Sequence, residues 1–274
     1  MSTEAKPGRL AVLGAGKMGG TLLRALRERG LLGPGEVAAT TRHAATAQDA
    51  AARLGVDVGT DNRRAAAAAE VVLLAVKPQA LAEVLREIAP VLRPEQLLVS
   101  IVASASTAFI EGHLQGPVPV VRAMPNTPSL VGAGMTALAP GRHAGGAHLE
   151  RARALFAAVG RTLVLDERHM DAVTALSASG PAFVYVVLES LAEGGVKVGL
   201  PRNIATELAA QACLGAATMV LETGEHPALL KDAVTTPAGC TIDGLLQLEE
   251  GGLRVTLIKA VVEATRRAAQ LISS

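Results

Sequence analysis

Two short stretches concentrate the residue types from which a binding or catalytic site is built. Gly14-Ala15-Gly16-Lys17-Met18-Gly19 spaces its glycines as G-x-G-x-x-G. In that pattern the first glycine permits a tight turn and the second lets the backbone approach a pyrophosphate. The third lets a helix pack close on a strand. The N–H groups at such a helix start lack intrahelical acceptors and hold phosphate oxygens. The other stretch, Thr235-Thr236-Pro237-Ala238-Gly239-Cys240-Thr241, leads into the run IDGLLQLEE, with Thr241 the expected N-cap. Hydroxyls, backbone N–H groups and the positive end of a helix dipole converge there among small side chains. Such a place receives a carboxylate.

Other residues refine the first of these sites. An NAD site usually has Asp or Glu at the end of its second strand, but here the residues are Thr40-Thr41-Arg42-His43. A guanidinium with hydroxyls suits a ribose 2′-phosphate, so Thr41 and Arg42 favour NADPH, with NADH still admissible. Val76-Lys77-Pro78 falls at the carboxyl end of a strand, where Lys77 either lines a cofactor pocket or caps the strand. Asn126, in the proline-locked MPNTP loop, either presents its amide to a ligand or serves the turn. Ser177-Ala178-Ser179-Gly180-Pro181 is a further cluster of small polar residues.

The elements that must position these residues follow a simple rhythm. Arg9–Leu13, Val37–Thr40, Glu70–Val76, Gln96–Val102 and Val118–Met124 read as strands, and Arg161–Asp166 as the last of them. Helical patterns over Lys17–Arg29 and Ala44–Leu54 end at glycines, Ala65–Ala69 reads as a short helix, and Pro78 opens another. This βαβα order implies an α/β Rossmann-type domain, a doubly wound parallel sheet with helices on both faces. From about His169 onward the pattern is helical. The expected division is therefore a cofactor domain over 1–166 and a helical dimerisation and substrate domain over 167–274. Within the latter, Ile204–Leu221 carries one charge, Glu207, and is apolar nearly all round, so a partner chain is expected to cover it.

Composition narrows the function classes. Half of the 274 residues are hydrophobic, enough for a sizeable core. With one Tyr, three Phe, no Trp and a net charge of +1, stacking surfaces and a nucleic-acid footprint are not expected. Cys213 and Cys240 fit neither a disulfide framework nor a metal-ligand spacing, so no metal is expected. The polar start MSTEAKPGRL is unlike an export signal. The uncharged stretch Ala172–Leu188 falls short of the roughly 20 apolar residues of a bilayer span. A cytoplasmic protein without membrane or nucleic-acid partners is expected.

The run LLKDAVTTPAGCTIDGLLQLEEGGLR resembles the signature of the pyrroline-5-carboxylate reductase family. LGAGKMGG, AVKPQ, RAMPNTP and DAVTALSASGPAF match its other landmarks in order, so the similarity covers essentially the whole chain. The resemblance implies reduction of (S)-1-pyrroline-5-carboxylate to L-proline, a homodimer at least, and rings of dimers up to a decamer of dimers. It also implies substrate contacts from Thr236, Gly239, Cys240 and Thr241, with the Thr241 hydroxyl as donor near the ring nitrogen. Ala178 and Ala238 stand where the family usually has glycine, and neither alanine is comfortable at positive φ. Cys240 is either a space-filler or a thiol acidified by the helix start. Two rivals fit less well. A β-hydroxyacid dehydrogenase needs a lysine motif that the surroundings of Lys197 do not supply, and a non-catalytic NADP(H) sensor would not need an intact substrate loop.

Overall fold

The computed structural model describes residues 8–33, 35–103 and 105–270; the initial MSTEAKP segment, read above as unlike an export signal, lies outside them. Contacts divide the chain into two compact units. One runs through Ala178 and resumes at Thr265; the other is Ser179–Ala264.

The first unit alternates strands and helices: β1 (Leu10–Leu13), α1 (Lys17–Glu28), β2 (Val37–Thr40), α2 (Ala44–Leu54), β3 (Asp57–Gly59), α3 (Asn62–Ala68), β4 (Val71–Leu74), α4 (Pro78–Ile88), β5 (Leu97–Ser100), α5 (Thr107–Glu111) and β6 (Val120–Met124). After these come β7 (Gly134–Pro140), α6 (Gly146–Ala157), β8 (Gly160–Val164) and α7 (Met170–Val173). The sheet order is β3-β2-β1-β4-β5-β6-β7-β8. Strands β1 to β6 are parallel, in the Rossmann order 3-2-1-4-5-6, as expected. The sequence reading missed β3 and β7. Strand β7 runs antiparallel to β6, and β8 follows β7, so one edge of the sheet is reversed.

Two-residue periodicity sends alternate side chains of each strand into different cores. Leu10 and Val12 of β1 face a core with Leu22, Leu23, Leu26 and Phe156, from α1 and α6. Ala11 and Leu13 face another with Leu81, Leu85 and Ile88 of α4. A buried charge also belongs to this unit. Arg122 of β6 is 4 % exposed and donates to Glu167 at 3.2 Å, while Glu167 accepts from the N–H and hydroxyl of Thr107 at 2.8 and 2.5 Å. That network joins β6, the start of α5 and the segment ahead of α7.

The second unit holds α8 (Gly180–Lys197), α9 (Arg202–Thr223), α10 (Pro227–Ala233), α11 (Cys240–Glu250) and most of α12 (Leu253–Gln270). Helices α8 and α9 meet through small residues; a Cβ on Gly195 would lie 2.9 Å from that of Ala205. Among the described residues the core here is Ala192, Ala205 and Ala209, with Leu188 and Val196 partly buried against it. Leu208, Leu214, Met219 and Leu221 of α9 are all exposed. The stretches Glu167–Lys197 and Arg202–Thr223 are long and apolar enough to cross a bilayer by length and composition. The first exceeds the uncharged Ala172–Leu188 window because it runs through α7 and α8 and takes in charged residues on both sides.

Candidate cofactor and substrate sites

At the carboxyl edge of the sheet the chain turns sharply from β1 into α1. Gly14 has φ +102°, and a Cβ there would lie 2.7 Å from the Ala75 carbonyl group on β4's continuation. No other residue type fits both constraints. Gly19 is excluded from carrying a side chain by space instead: a Cβ would meet the Gly14 carbonyl oxygen at 2.6 Å. A Cβ on Gly16 would meet nothing within 4 Å, so its face is open toward the cleft. The three glycines thus divide turn, approach and packing as their spacing requires.

The N–H groups of Gly14 and Ala15 are held by the Thr40 carbonyl at 3.1 and 2.8 Å, fixing the turn against β2. Gly16 is the N-cap of α1 and has no capping side chain. The N–H groups of Lys17, Met18 and Gly19 lead the helix and are oriented for an anion. This arrangement fits a dinucleotide pyrophosphate.

A cleft of about 710 Å³ opens over this turn. Gly14, Ala15, Gly16, Thr41, Arg42, Val76 and Lys77 line it, which brings together most of the cofactor residues expected from sequence. Lys17, Met18 and Gly19 follow as the first turn of α1, and Pro78 is at the first position of α4 beside Lys77. Asn126 lies elsewhere. It is 8 % exposed, its Nδ2 donates to the Ser177 carbonyl at 3.1 Å, and its Oδ1 accepts from the N–H of Met135 at 2.9 Å. Its amide therefore ties the end of β6 to β7 and to the turn before Ser179.

The same cleft is lined by His43, the end of the run that follows the second strand, and by Thr46, Asp49, Arg53 and Glu83, which the sequence reading did not name. Thr46, Asp49, Ala50 and Arg53 follow i, i+3, i+4, i+7 spacing on α2, so a helical-face reading starting from Arg42 would have found them. An inner extension of about 210 Å³ adds Thr60, Asn62 and Glu87. There the Thr40 hydroxyl donates to Asn62 Oδ1 at 2.7 Å, and Asn62 Nδ2 donates to Glu87 at 2.8 Å. Asn62 follows β3, the strand too short to be recognised. A different groove, about 500 Å³ along β2 and α3, holds none of the expected site residues.

In the second unit, Thr236-Pro237-Ala238-Gly239 forms a β-turn closed by the Gly239 N–H donating to the Thr236 carbonyl at 3.1 Å. Proline at the second position and positive φ at the third define a turn that favours glycine there, yet Ala238 occupies it at φ +57°. Gly239, not Thr241, is the N-cap, because α11 begins at Cys240. The set of N–H groups open at this turn accordingly differs from the expected one. The Gly239 N–H is committed to the turn, leaving those of Cys240 and Thr241 at the helix start. Gly239 sets the shape instead, since a Cβ would lie 2.5 Å from the Thr236 hydroxyl. Cys240 is exposed and Thr241 partly buried. Among the described residues no group of three His, Cys, Asp or Glu is arranged for a metal ion.

A Rossmann sheet with an open glycine turn, followed in the chain by a helical unit with a small-residue turn ahead of α11, defines a nicotinamide-dinucleotide-dependent oxidoreductase. Residues 167–271 match the family described as pyrroline-5-carboxylate reductase dimerisation, and 9–104 match the one described as NADP oxidoreductase coenzyme F420-dependent. The chain is 41% identical to a pyrroline-5-carboxylate reductase of Methanosarcina acetivorans over 96% of its own length and 97% of the relative's. It is 44% identical to that of Synechocystis, with the same coverages. The solved structure of a pyrroline-5-carboxylate reductase from Coxiella burnetii superposes with TM-score 0.90 at 34% identity, covering 97% of this chain and 98% of that one. A Plasmodium falciparum pyrroline carboxylate reductase with NADP bound gives 0.85 at 27%, covering 97% and 99%. The chain belongs to the pyrroline-5-carboxylate reductase family. Both bilayer-length apolar stretches fall within the region matched to dimerisation.

Proposed function

We propose that this enzyme reduces (S)-1-pyrroline-5-carboxylate to L-proline, the last step of proline biosynthesis, and uses NADPH. The observation that carries the reading is the likeness to reductases of that name along nearly the whole chain, both cofactor and helical parts included. NADPH, when bound, supplies the hydride for the imine carbon. The chain's own residues bind and orient. The first turn of α1 holds the pyrophosphate, Thr41 and Arg42 hold the 2′-phosphate, and Val76, Lys77 and Pro78 line the cofactor's path. The substrate carboxylate rests on Thr236 and the N–H groups of Cys240 and Thr241. The Thr241 hydroxyl donates near the ring nitrogen. A protonated imine is already electrophilic, so orientation matters more than a strong acid.

The division into 1–166 and 167–274 is supported by the start of the dimerisation match at 167. The protein works as a homodimer at least, with assembly up to a decamer of dimers, in the cytoplasm and without membrane or nucleic-acid partners. Sedimentation of the purified protein tests the assembly. The reaction is tested by following reduced-nicotinamide absorbance with 1-pyrroline-5-carboxylate, NADPH and NADH in parallel. Proline formation in wild type, and a fall in kcat with unchanged NADPH affinity in Thr241→Ala, is the expected result. Equal loss of both in Thr241→Ala sinks that residue's role, and absence of turnover in folded wild type sinks the reaction.

A further inference from the structure

We propose that Arg53 is a second specificity determinant for the cofactor's 2′-phosphate, acting beside Arg42; this rests on the NADPH reading above. Arg53 sits on the last turn of α2, yet its guanidinium extends back along the helix to the glycine turn. Its Nη2 donates to the Ala15 carbonyl at 3.5 Å, the long limit of a hydrogen bond. Gly20 borders that route: a Cβ there would lie 3.5 Å from Nη2. The side chain therefore lines the same cleft as Thr41 and Arg42, next to the residue between the first two motif glycines.

Its position is not explained by packing. The junction of α1 and α2 already has a fastener, Arg27, whose guanidinium donates to the Leu54 carbonyl at the end of α2. Arg53 is exposed and, among the described residues, neither it nor Arg42 makes an ion pair. Asp49, one turn back on α2, and Glu83 of α4 face the cleft without pairing to either. Two guanidinia without a carboxylate partner among the described residues border one cleft, and a phosphate monoester brings nearly two negative charges with several acceptor oxygens. NADH has only ribose hydroxyls at that place and gains little from a second cation.

The test is titration of NADPH, NADH and 2′,5′-ADP into wild type, Arg53→Gln, Arg53→Lys and Arg42→Gln. The expected result is a loss of about tenfold for NADPH and 2′,5′-ADP in Arg53→Gln, the scale of one exposed charge-assisted hydrogen bond. NADH binding should stay within about twofold on the same reasoning, and Arg53→Lys should recover part of the loss. A purely structural tie to Ala15 would weaken both cofactors together, and that outcome overturns the inference. So does an unchanged NADPH preference in Arg53→Gln. Wild type that binds NADH as tightly as NADPH overturns the NADPH reading itself, and this inference with it.

Discussion

The two units solve the problem of burying apolar side chains in opposite ways. The cofactor unit sandwiches its sheet between two cores of leucine, valine and isoleucine from its own helices. The helical unit buries three alanines and leaves leucines exposed along α9. At about 1.5–3 kcal/mol for each large apolar side chain covered, the second unit depends on a partner for stability that the first already contains. Covering these leucines in an assembly therefore adds stability that the helical unit does not hold by itself, consistent with a family region described by dimerisation.

The strongest way to break this contrast is a charge on the exposed face. Leu214 is 59% exposed, and Leu214→Asp buries nothing unfavourable unless a partner covers it. The expected outcome is loss of the assembly in sedimentation and loss of turnover, with a large drop in thermal stability. An assembly of unchanged mass would show that this part of α9 faces solvent. The equivalent insult in the cofactor unit is smaller. Arg122→Met removes a cation that is 4% exposed and leaves Glu167, 24% exposed, without its charge partner. Breaking a buried pair costs about 3–5 kcal/mol, and the partial exposure of Glu167 places the expected loss near the lower figure. Urea denaturation measures it, and a change under about 1 kcal/mol would mean that Thr107 alone satisfies the carboxylate.

What the sequence made legible was local. The glycine turn and the helix stops at Gly30 and Gly55 depend on a few adjacent residues and fall where the spacing puts them, whereas three expected strands end two residues early, at Leu74, Ser100 and Val164. Strand β7, GMTALAP, has small residues of low strand preference and gave no signal. Its direction against β6 is a tertiary fact that no periodicity encodes. Arg53 and Glu83 line one cleft, and Asn62 and Glu83 another, only because separate elements fold onto one sheet edge. The start of α11 was misplaced for another reason: threonine is the stronger prior for an N-cap, but the turn ending at Gly239 fixes where the helix begins.

Ala238 sharpens the comparison at finer scale. Gly14 and Ala238 both occupy left-handed backbone, one with the residue that suits it and one without. The alanine costs about 1–2 kcal/mol in the folded chain. Glycine would remove that strain but add about 0.4–1 kcal/mol of unfolded-state entropy to be lost. Ala238→Gly should thus stabilise the protein by between about 0 and about 1.6 kcal/mol, while loosening the substrate loop and raising KM for the imine. A clear destabilisation would show that the Ala238 methyl packs usefully in the assembly.

The smallest effect belongs to the exposed ion pair that mirrors the buried one. Glu193 of α8 accepts from Arg202 of α9 at 2.6 Å, and both side chains are more than half exposed. The Arg202 hydrogen bond and charge hold the Glu193 carboxyl below its ordinary range. A depressed carboxyl pKa contributes stability that is present above the unfolded value and is lost as pH falls through the folded one. Solvent screening keeps that contribution slight and salt-sensitive. Glu193→Gln should therefore shift the denaturation midpoint barely at neutral pH and not at all in acid, whereas Arg122→Met should shift it strongly at neutral pH. If the two substitutions weighed equally at neutral pH, Arg202 and Glu193 would have to be covered in the assembly. The helical unit's apparent surface at that point would then be a second buried face.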